Sequence, residues 1–598
     1  VKNRLATTVS LAFLALLAWT GAVAAQAEPP DLSPERWGKE ELKRYNQQLQ
    51  QKAVANPPAV GLRGAVTGTY NAPAMRAGLE ALKQGGSATD AALTTALTQV
   101  TLCGGGWVSY TGILSMVYYD AATGKVYDLN AGYNTVRGED APLTIPAANG
   151  LLNDPYGGQP SGRATLVPGF MAGVQAAHER FGKLPFKTLF QPALYYAEEG
   201  FEVSPYLAEF LRLRKDVLSR RADTRKIFTK GDGALLAAGD LLKQPELAKT
   251  LRAVAEHGAK YLYEGAWAKR FVAAVQSEGG KLTLEDLANY QALWGEPVRG
   301  KFRGYDLFVH GLPANGGVNT IEALRLYELA GLKDKGRYVG SGDSLFWLAQ
   351  IHKVMGLSYL PPPLLKTWEV QLGADLSLRS RLRPETTRKL WRLMGEGKFP
   401  LTAAPRAESA PKHSDVVVAV DRWGNVAAVV HSINSVMWGK TGIFVDGVSV
   451  NDSASFQQQQ IATVGPGQRL PDPTNPAIIQ KDGKPVLGCG SMGSGLHQKT
   501  IQCLVNVLDF GLSPKEAIDA PYLMFPKYSA DGKQVQQVLR GAFPEATLAR
   551  ARALGLAIEE IANSRYAQGL WVGIRIDPAK KTYEAGSPNV TNGCALAY

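Results

Sequence analysis

Ser414 is the residue at which this chain could begin covalent chemistry. In APKHSDVVVAVDRWGNVAAVV, residues 410–430, a stretch rich in Pro, Ala and Ser runs through His413, Ser414 and Asp415 into an apolar segment. A break in the chain before Ser414 would put a hydroxyl and a free α-amine on one residue, uniting nucleophile and general base. Such an amine has a reference pKa of about 7.7–8.0, so a useful fraction is neutral near physiological pH and no histidine base is required. The same junction of loop, polar residue and strand is commonplace as plain structure, and the residues alone leave both readings open.

Other motifs carry less. NSVMWGKT, residues 434–441, approaches a P-loop, but Asn434 stands where that loop needs glycine. GCGSMG, residues 488–493, fits G-x-G-x-x-G between an expected strand and an expected helix, without the surrounding dinucleotide-binding context. Its physical content does not depend on a nucleotide. Successive small residues expose backbone N–H groups, and a following helix N-terminus favours a negative oxygen, as an oxyanion hole requires. A close-packed strand-to-helix turn is the plainer alternative. No G-x-S-x-G elbow occurs. The seven histidines contain no H-E-x-x-H pattern, and Cys103, Cys489, Cys503 and Cys594 form no C-x-x-C pair, so neither a metal site nor a cofactor is expected.

A rigid frame must hold such groups. APAMRAGLEALKQGG and SATDAALTTALTQVTL space their apolar residues as helices do, with Ser87 as an N-cap. GILSMVYYDAATGKVYDLNAG predicts two strands joined by a turn at AATGK. Residues 169–290 read as a long helical stretch, and GKFRGYDLFVHGLPANGGVNTIEALRLYELAG adds strands, a Gly-rich turn and a helix. SDVVVAVD, NVAAVVHSI and KPVLGCG read as strands, and HQKTIQCLVNVLDFG as a helix. Alternation along the first of these strands sends Ser414, Val416 and Val418 to one face and Asp415 to the other. This order of elements implies helices packed over stacked sheets. Polar, Gln-rich residues 28–60 read as an N-terminal arm, and charged residues 376–412, ending in TAAPRAESAPKH, as an exposed linker.

At 598 residues the chain exceeds one ordinary core, so two associated lobes or one large layered domain are expected. A hydrophobic share of 45% with 11 Trp and 23 Tyr excludes a disordered chain. Residues 1–27 join Lys2 and Arg4 to an apolar run and small residues, the pattern of a cleavable secretory signal. No later apolar run reaches spanning length, so the expectation is a periplasmic or secreted protein without a stable membrane anchor. The net charge of +12 comes largely from segments such as RLRKDVLSRRADTRK, read as solvated helical faces. Without aromatic interleaving they do not suggest a nucleic-acid partner.

From about residue 60 to Tyr598 the chain resembles the gamma-glutamyltransferase family of N-terminal-nucleophile hydrolases. The resemblance rests on GGSATDAA, CGGG before a strand pair, LVPGFMAGVQAAHERFGKLPFKTLFQPALYYAEEGFEV, LTLEDLANYQA, RGYDLFVHGLPANGGV, DRWGNVAAVVHSINS, NPAIIQKDGKP and GSMGSG, in that order. It implies an αββα sandwich made as an inactive precursor that cuts itself, here between His413 and Ser414. The products would be a large fragment, 61–413, and a small one, 414–598, held together as a heterodimer in one joint fold. Ser414 takes the place of the family's nucleophilic threonine, and Asp415 that of the threonine normally following it. Ser432 and Asn434 match positions that hold the nucleophile and the bound acyl group, and Gly493 and Ser494 match the glycine pair of the oxyanion hole.

The recognition positions differ. Asn130 stands where the family has an arginine for the substrate α-carboxylate, Ser455 where it has an aspartate for the α-amine, and Asp472 with Pro473 where it has paired serines. Loss of these partners leaves a zwitterionic γ-glutamyl head without its bidentate fork and counter-charge. The expectation is therefore an amidohydrolase or acyltransferase for a small amide or peptide-like substrate, with altered acyl specificity. Ordinary γ-glutamyl transfer or glutathione hydrolysis is one alternative. An unprocessed, non-enzymatic binding or scaffold protein of the periplasm is another.

Overall fold

The computed structural model describes residues 29–147, 159–399, 414–528, 534–562 and 569–598; the expected signal segment and His413 lie outside them. Its frame is a pair of seven-stranded sheets. The first runs, in spatial order, Ala595–Ala597, Ala65–Gly68, Asp415–Val420, Val426–Ser432, Ile113–Asp120, Lys125–Ala131 and Leu293–Gly295. The second runs Ala59–Gly61, Thr582–Gly586, Leu570–Asp577, Lys484–Met492, Ala477–Lys481, Tyr305–Val309 and Val298–Phe302. Every pairing within these sheets is antiparallel.

Near-continuous Val and Ala in 415–420 and 426–432 follow from their position, since both faces of these central strands are buried. One face meets helices: Ala88–Leu102, buried along its whole length, packs against both strands. The other face meets the second sheet. A Cβ on Gly490 would lie 2.9 Å from Val416 Cγ1 and 3.5 Å from Val430 Cγ2, and one on Gly488 would lie 2.7 Å from Val426 Cγ1. These glycines let the two sheets approach without displacing valines. Helices Gly316–Leu329 and Leu496–Leu508 cover the far side of the second sheet. The result is the expected αββα sandwich.

The hairpin 113–131 forms with its turn at 121–124, and Ser87 caps its helix through a reciprocal capping box with Asp90. Two expected loose segments are instead built into the body. Residues 34–61 form a 3₁₀ turn, the helix Lys39–Leu49 and an edge strand of the second sheet, with Leu32, Trp37, Tyr45 and Leu49 buried. Within the expected linker, residues up to 399 are helical at Leu378–Arg381 and Pro384–Gly395. Arg381 there is only 1% exposed and is bonded to Glu322 Oε2 at 2.5 and 2.9 Å. Residues 400–412 of that linker lie outside the described residues. No helix among the described residues is long and apolar enough to cross a membrane.

Candidate active site

Ser414 sits at the head of the central strand Asp415–Val420, whose register fixes what surrounds it. Asp415 pairs with His431 and Val416 with Val430, so Ser414 stands beside Ser432, and Ser432 in turn pairs with Ile113. Residues directly opposite in a sheet share a face. Ser414, Ser432, Ser115 and Asn130 therefore all point between the two sheets, whereas Asp415 and His431 point into the helical layer.

The Ser414 hydroxyl donates to Ser432 Oγ at 2.9 Å, and Ser432 Oγ accepts the backbone N–H of Asn434 at 2.7 Å. Asn434 lies in the left-handed region at φ +48°, a conformation asparagine tolerates better than most residues. Its carbonyl accepts the Ser453 hydroxyl at 2.7 Å. The intervening Ile433 peptide is held at both ends: its N–H donates to the Trp107 carbonyl at 3.1 Å, and its carbonyl accepts the Tyr133 hydroxyl at 2.7 Å. Sequence reasoning found Ser432 and Asn434 but missed Ser453, Trp107 and Tyr133, which carry no local signal.

The oxyanion-type loop reaches the same end of the sandwich. Gly488 faces Val418 and Gly490 faces Val416, so each two-residue step along 484–492 advances one step toward Ser414. The strand ends one further step along, at Met492, with Gly493 and Ser494 following it. Gly493 turns the chain at φ +88°, and Gly495 starts the helix Leu496–Leu508. Small residues thus lead from this strand directly into a helix N-terminus, the kind of backbone an oxyanion requires.

Across the sheet, Asn130 is 4% exposed. Its Oδ1 accepts from Gly132 N at 3.0 Å and from Arg469 Nη1 at 2.7 Å, and Nδ2 has no hydrogen-bond partner among the described residues. Arg469 went unnoticed in the sequence. It spends further donors on the Asn130 carbonyl, Asn134 Oδ1 and the Gln291 carbonyl, and lies 4.9 Å from the Tyr290 ring centroid. Asp472 Oδ1 accepts the backbone N–H of Thr474 at 2.8 Å and also its hydroxyl, and that hydroxyl oxygen meets Ser115 Oγ at 2.8 Å. Beside this network His310 Nδ1 lies 2.7 Å from Asp128 Oδ1. Burial disfavours the imidazolium, but the neighbouring Asp128 carboxylate outweighs it and raises the His310 pKa. Ser455 is different: its hydroxyl is spent on the Asp452 carbonyl at 2.6 Å, within the 3₁₀ turn Ser453–Phe456.

Competing chemistries find little support in the geometry. All four cysteines are free and buried; burial pushes the Cys103 thiol up to about 12 and the Cys503 thiol up to about 11, so neither is a thiolate near neutrality. A cleft of about 790 Å³ lined by Arg299, Lys301, Arg325 and Arg388 lies at the outer edge of the second sheet and includes none of the residues singled out above.

Comparison with known proteins agrees with this frame. The chain is 26% identical to the glutathione hydrolase proenzyme of Escherichia coli K12 over 98% of each chain. It is 28% identical to the acylase ACY 1 proenzyme of Pseudomonas sp. SE83, over 78% of this chain and 83% of that one. In fold it matches the cephalosporin acylase of Bacillus halodurans at a TM-score of 0.74 and 22% identity, covering 91% of this chain and 97% of that one. Residues 74–598 match the family model described as gamma-glutamyltranspeptidase, and the chain, with its αββα frame and the serine pair at the head of its central strand, belongs to that family.

Proposed function

We propose that the chain cleaves itself between His413 and Ser414 and then acts as an amidohydrolase or acyltransferase through an acyl-enzyme on Ser414. The observation that carries this reading is the 2.9 Å contact of Ser414 Oγ with a Ser432 hydroxyl that is itself fixed by the Asn434 N–H. Once the α-amine is free, it takes the Ser414 hydroxyl proton as Oγ attacks the amide carbonyl. Backbone N–H groups of Gly493 and Ser494 receive the developing oxyanion, and collapse expels the amine, which takes the proton from the α-ammonium. Water or a second amine then releases the acyl group by the reverse sequence. Ser432 and Asn434 hold the nucleophile and the acyl carbonyl. Residues 61–413 and 414–598 form the large and small fragments, associated as a heterodimer, and residues 1–27 direct export to the periplasm or medium.

Acyl specificity is altered from that of a γ-glutamyl head. Asn130 offers an amide rather than a guanidinium, the donors of nearby Arg469 go mainly to Asn130, Asn134 and Gln291, and the Ser455 hydroxyl faces the Asp452 carbonyl. The name of the ACY 1 acylase supports a wider range of acyl amides within such relatives. The deciding experiment expresses the chain and Ser414→Ala and measures intact mass and N-terminal sequence. The parent alone should yield a fragment beginning at Ser414; two uncut chains after prolonged incubation would end the reading. Release of glutamate from a γ-glutamyl anilide at the efficiency of an ordinary glutathione hydrolase would defeat the altered specificity alone.

A further inference from the structure

Asp415 follows the proposed nucleophile directly, yet its side chain leaves the strand on the opposite face, toward the helical layer. It is wholly buried, and no ion pair to it exists among the described residues. An acid placed this way is costly unless its oxygens are occupied. Both are: Thr69 Oγ1 donates to Oδ1 at 2.9 Å, and the Trp107 indole N–H donates to Oδ2 at 3.2 Å. Each partner has a second attachment near Ser414. Thr69 Oγ1 also accepts the backbone N–H of Val416 at 3.1 Å, and the Trp107 carbonyl accepts the N–H of Ile433 at 3.1 Å.

We infer that Asp415 is a positioning residue that ties the Ser414 strand, through Trp107, to the Ile433–Asn434 turn on which Ser432 and Asn434 depend. The linkage is continuous. One carboxyl oxygen stiffens the first residues of the strand through Thr69. The other orients the Trp107 ring, whose backbone holds the peptide between Ser432 and Asn434. Tyr133 closes the far side of that peptide at 2.7 Å. Burial also holds the Asp415 carboxyl well above the usual range, against the pull of the Thr69 and Trp107 hydrogen bonds. The inference rests on the reading of Ser414 as nucleophile.

The test uses the full chain with Asp415→Ala, Asp415→Asn, Trp107→Phe and the double variant Asp415→Ala/Trp107→Phe. Measured are the fraction cleaved before Ser414, KM, and the rate of the acyl-enzyme burst with an activated acyl anilide. Misplacement of a nucleophile by about 1 Å costs on the order of 100-fold. Asp415→Ala and Trp107→Phe should each slow the burst by about 30- to 100-fold with KM within about twofold, and the double variant should be little worse than either. Asp415→Asn retains an oxygen acceptor and should recover to within about fivefold of the parent. A cleaved, active parent whose burst is unmoved by either single change, or whose losses multiply in the double variant, overturns the inference. So does a loss expressed wholly in KM. A parent that is neither cleaved nor active instead defeats the nucleophile assignment. Should Asp415→Ala fail to fold, Trp107→Phe and Asp415→Asn decide by the same burst measurement.

Discussion

Replacing Ser432 by alanine should separate its structural from its chemical contribution. Ser432 Oγ accepts the Ser414 hydroxyl at 2.9 Å and the Asn434 N–H at 2.7 Å, and the residue is 3% exposed. In Ser432→Ala the Asn434 N–H loses its acceptor at a buried position, which costs about 1–3 kcal/mol of stability. The Ser414 hydroxyl loses the acceptor that sets its rotamer, a neutral hydrogen bond worth about 0.5–1.5 kcal/mol. At about 1.4 kcal/mol per factor of ten, that bond and the loosened Asn434 turn together predict a fall in acylation of about 10- to 100-fold. Ser432→Thr keeps the oxygen and should remain within about threefold of the parent. Urea denaturation reads the first quantity and single-turnover acylation the second. Full stability and full activity in Ser432→Ala would refute the idea that this hydroxyl bridges the nucleophile and the turn.

Three further outcomes follow from the packing. Gly490→Val should destabilise by about 1–3 kcal/mol, because the added branch meets Val416 and Val430 across the sheet interface; calorimetry checks this against Gly231→Ala in an exposed turn. Arg381→Ala leaves Glu322 buried without its partner and should cost about 3–5 kcal/mol, whereas Arg381→Met with Glu322→Leu should restore most of it, measured by chemical denaturation. His352, His431 and His497 are buried, and burial lowers each pKa to about 3. Their unfolded forms gain a proton below about pH 6.5 that the native forms refuse, so stability should fall as pH drops from about 6.5 toward 3, by about 1.4 kcal/mol per pH unit for each histidine. His352→Leu should remove one proton from that dependence, as denaturation midpoints at pH 7 and 5.5 will show.

Local patterns were legible where local physics decides. The alternation of 415–420 placed Asp415 and Val416 on opposite faces, and Ser87 announced a helix start. Elements decided by distant partners were not. Residues 32–61 look polar because few large apolar side chains, Leu32, Trp37, Tyr45 and Leu49, are anchored there, a stripe too sparse to stand out among glutamines. Arg381 reads as linker charge until Glu322, 59 residues away, neutralises it in the core. At the candidate site, Ser432 and Asn434 could be placed by resemblance, but Trp107 reaches Asp415 across 308 residues and Arg469 reaches Asn130 across 339. Contacts of that span leave no period or spacing to read.

The strand order of the first sheet has a kinetic consequence. Asp415–Val420 lies between Ala65–Gly68, which precedes residue 413, and Val426–Ser432, which follows it; in the second sheet four adjoining strands from after residue 413 are flanked on both sides by strands from before it. A break at residue 413 would therefore leave two polypeptides threaded through each other, neither with a complete sheet. Release of one demands melting both. The uncut chain renatures at a rate independent of dilution, since its portions are tethered. The cut molecule must reassemble by encounter, having lost the millimolar effective concentration, on the order of magnitude, that a short tether supplies. Processing would thus turn a protein that can refold at any dilution into one whose recovery after denaturation slows as it is diluted.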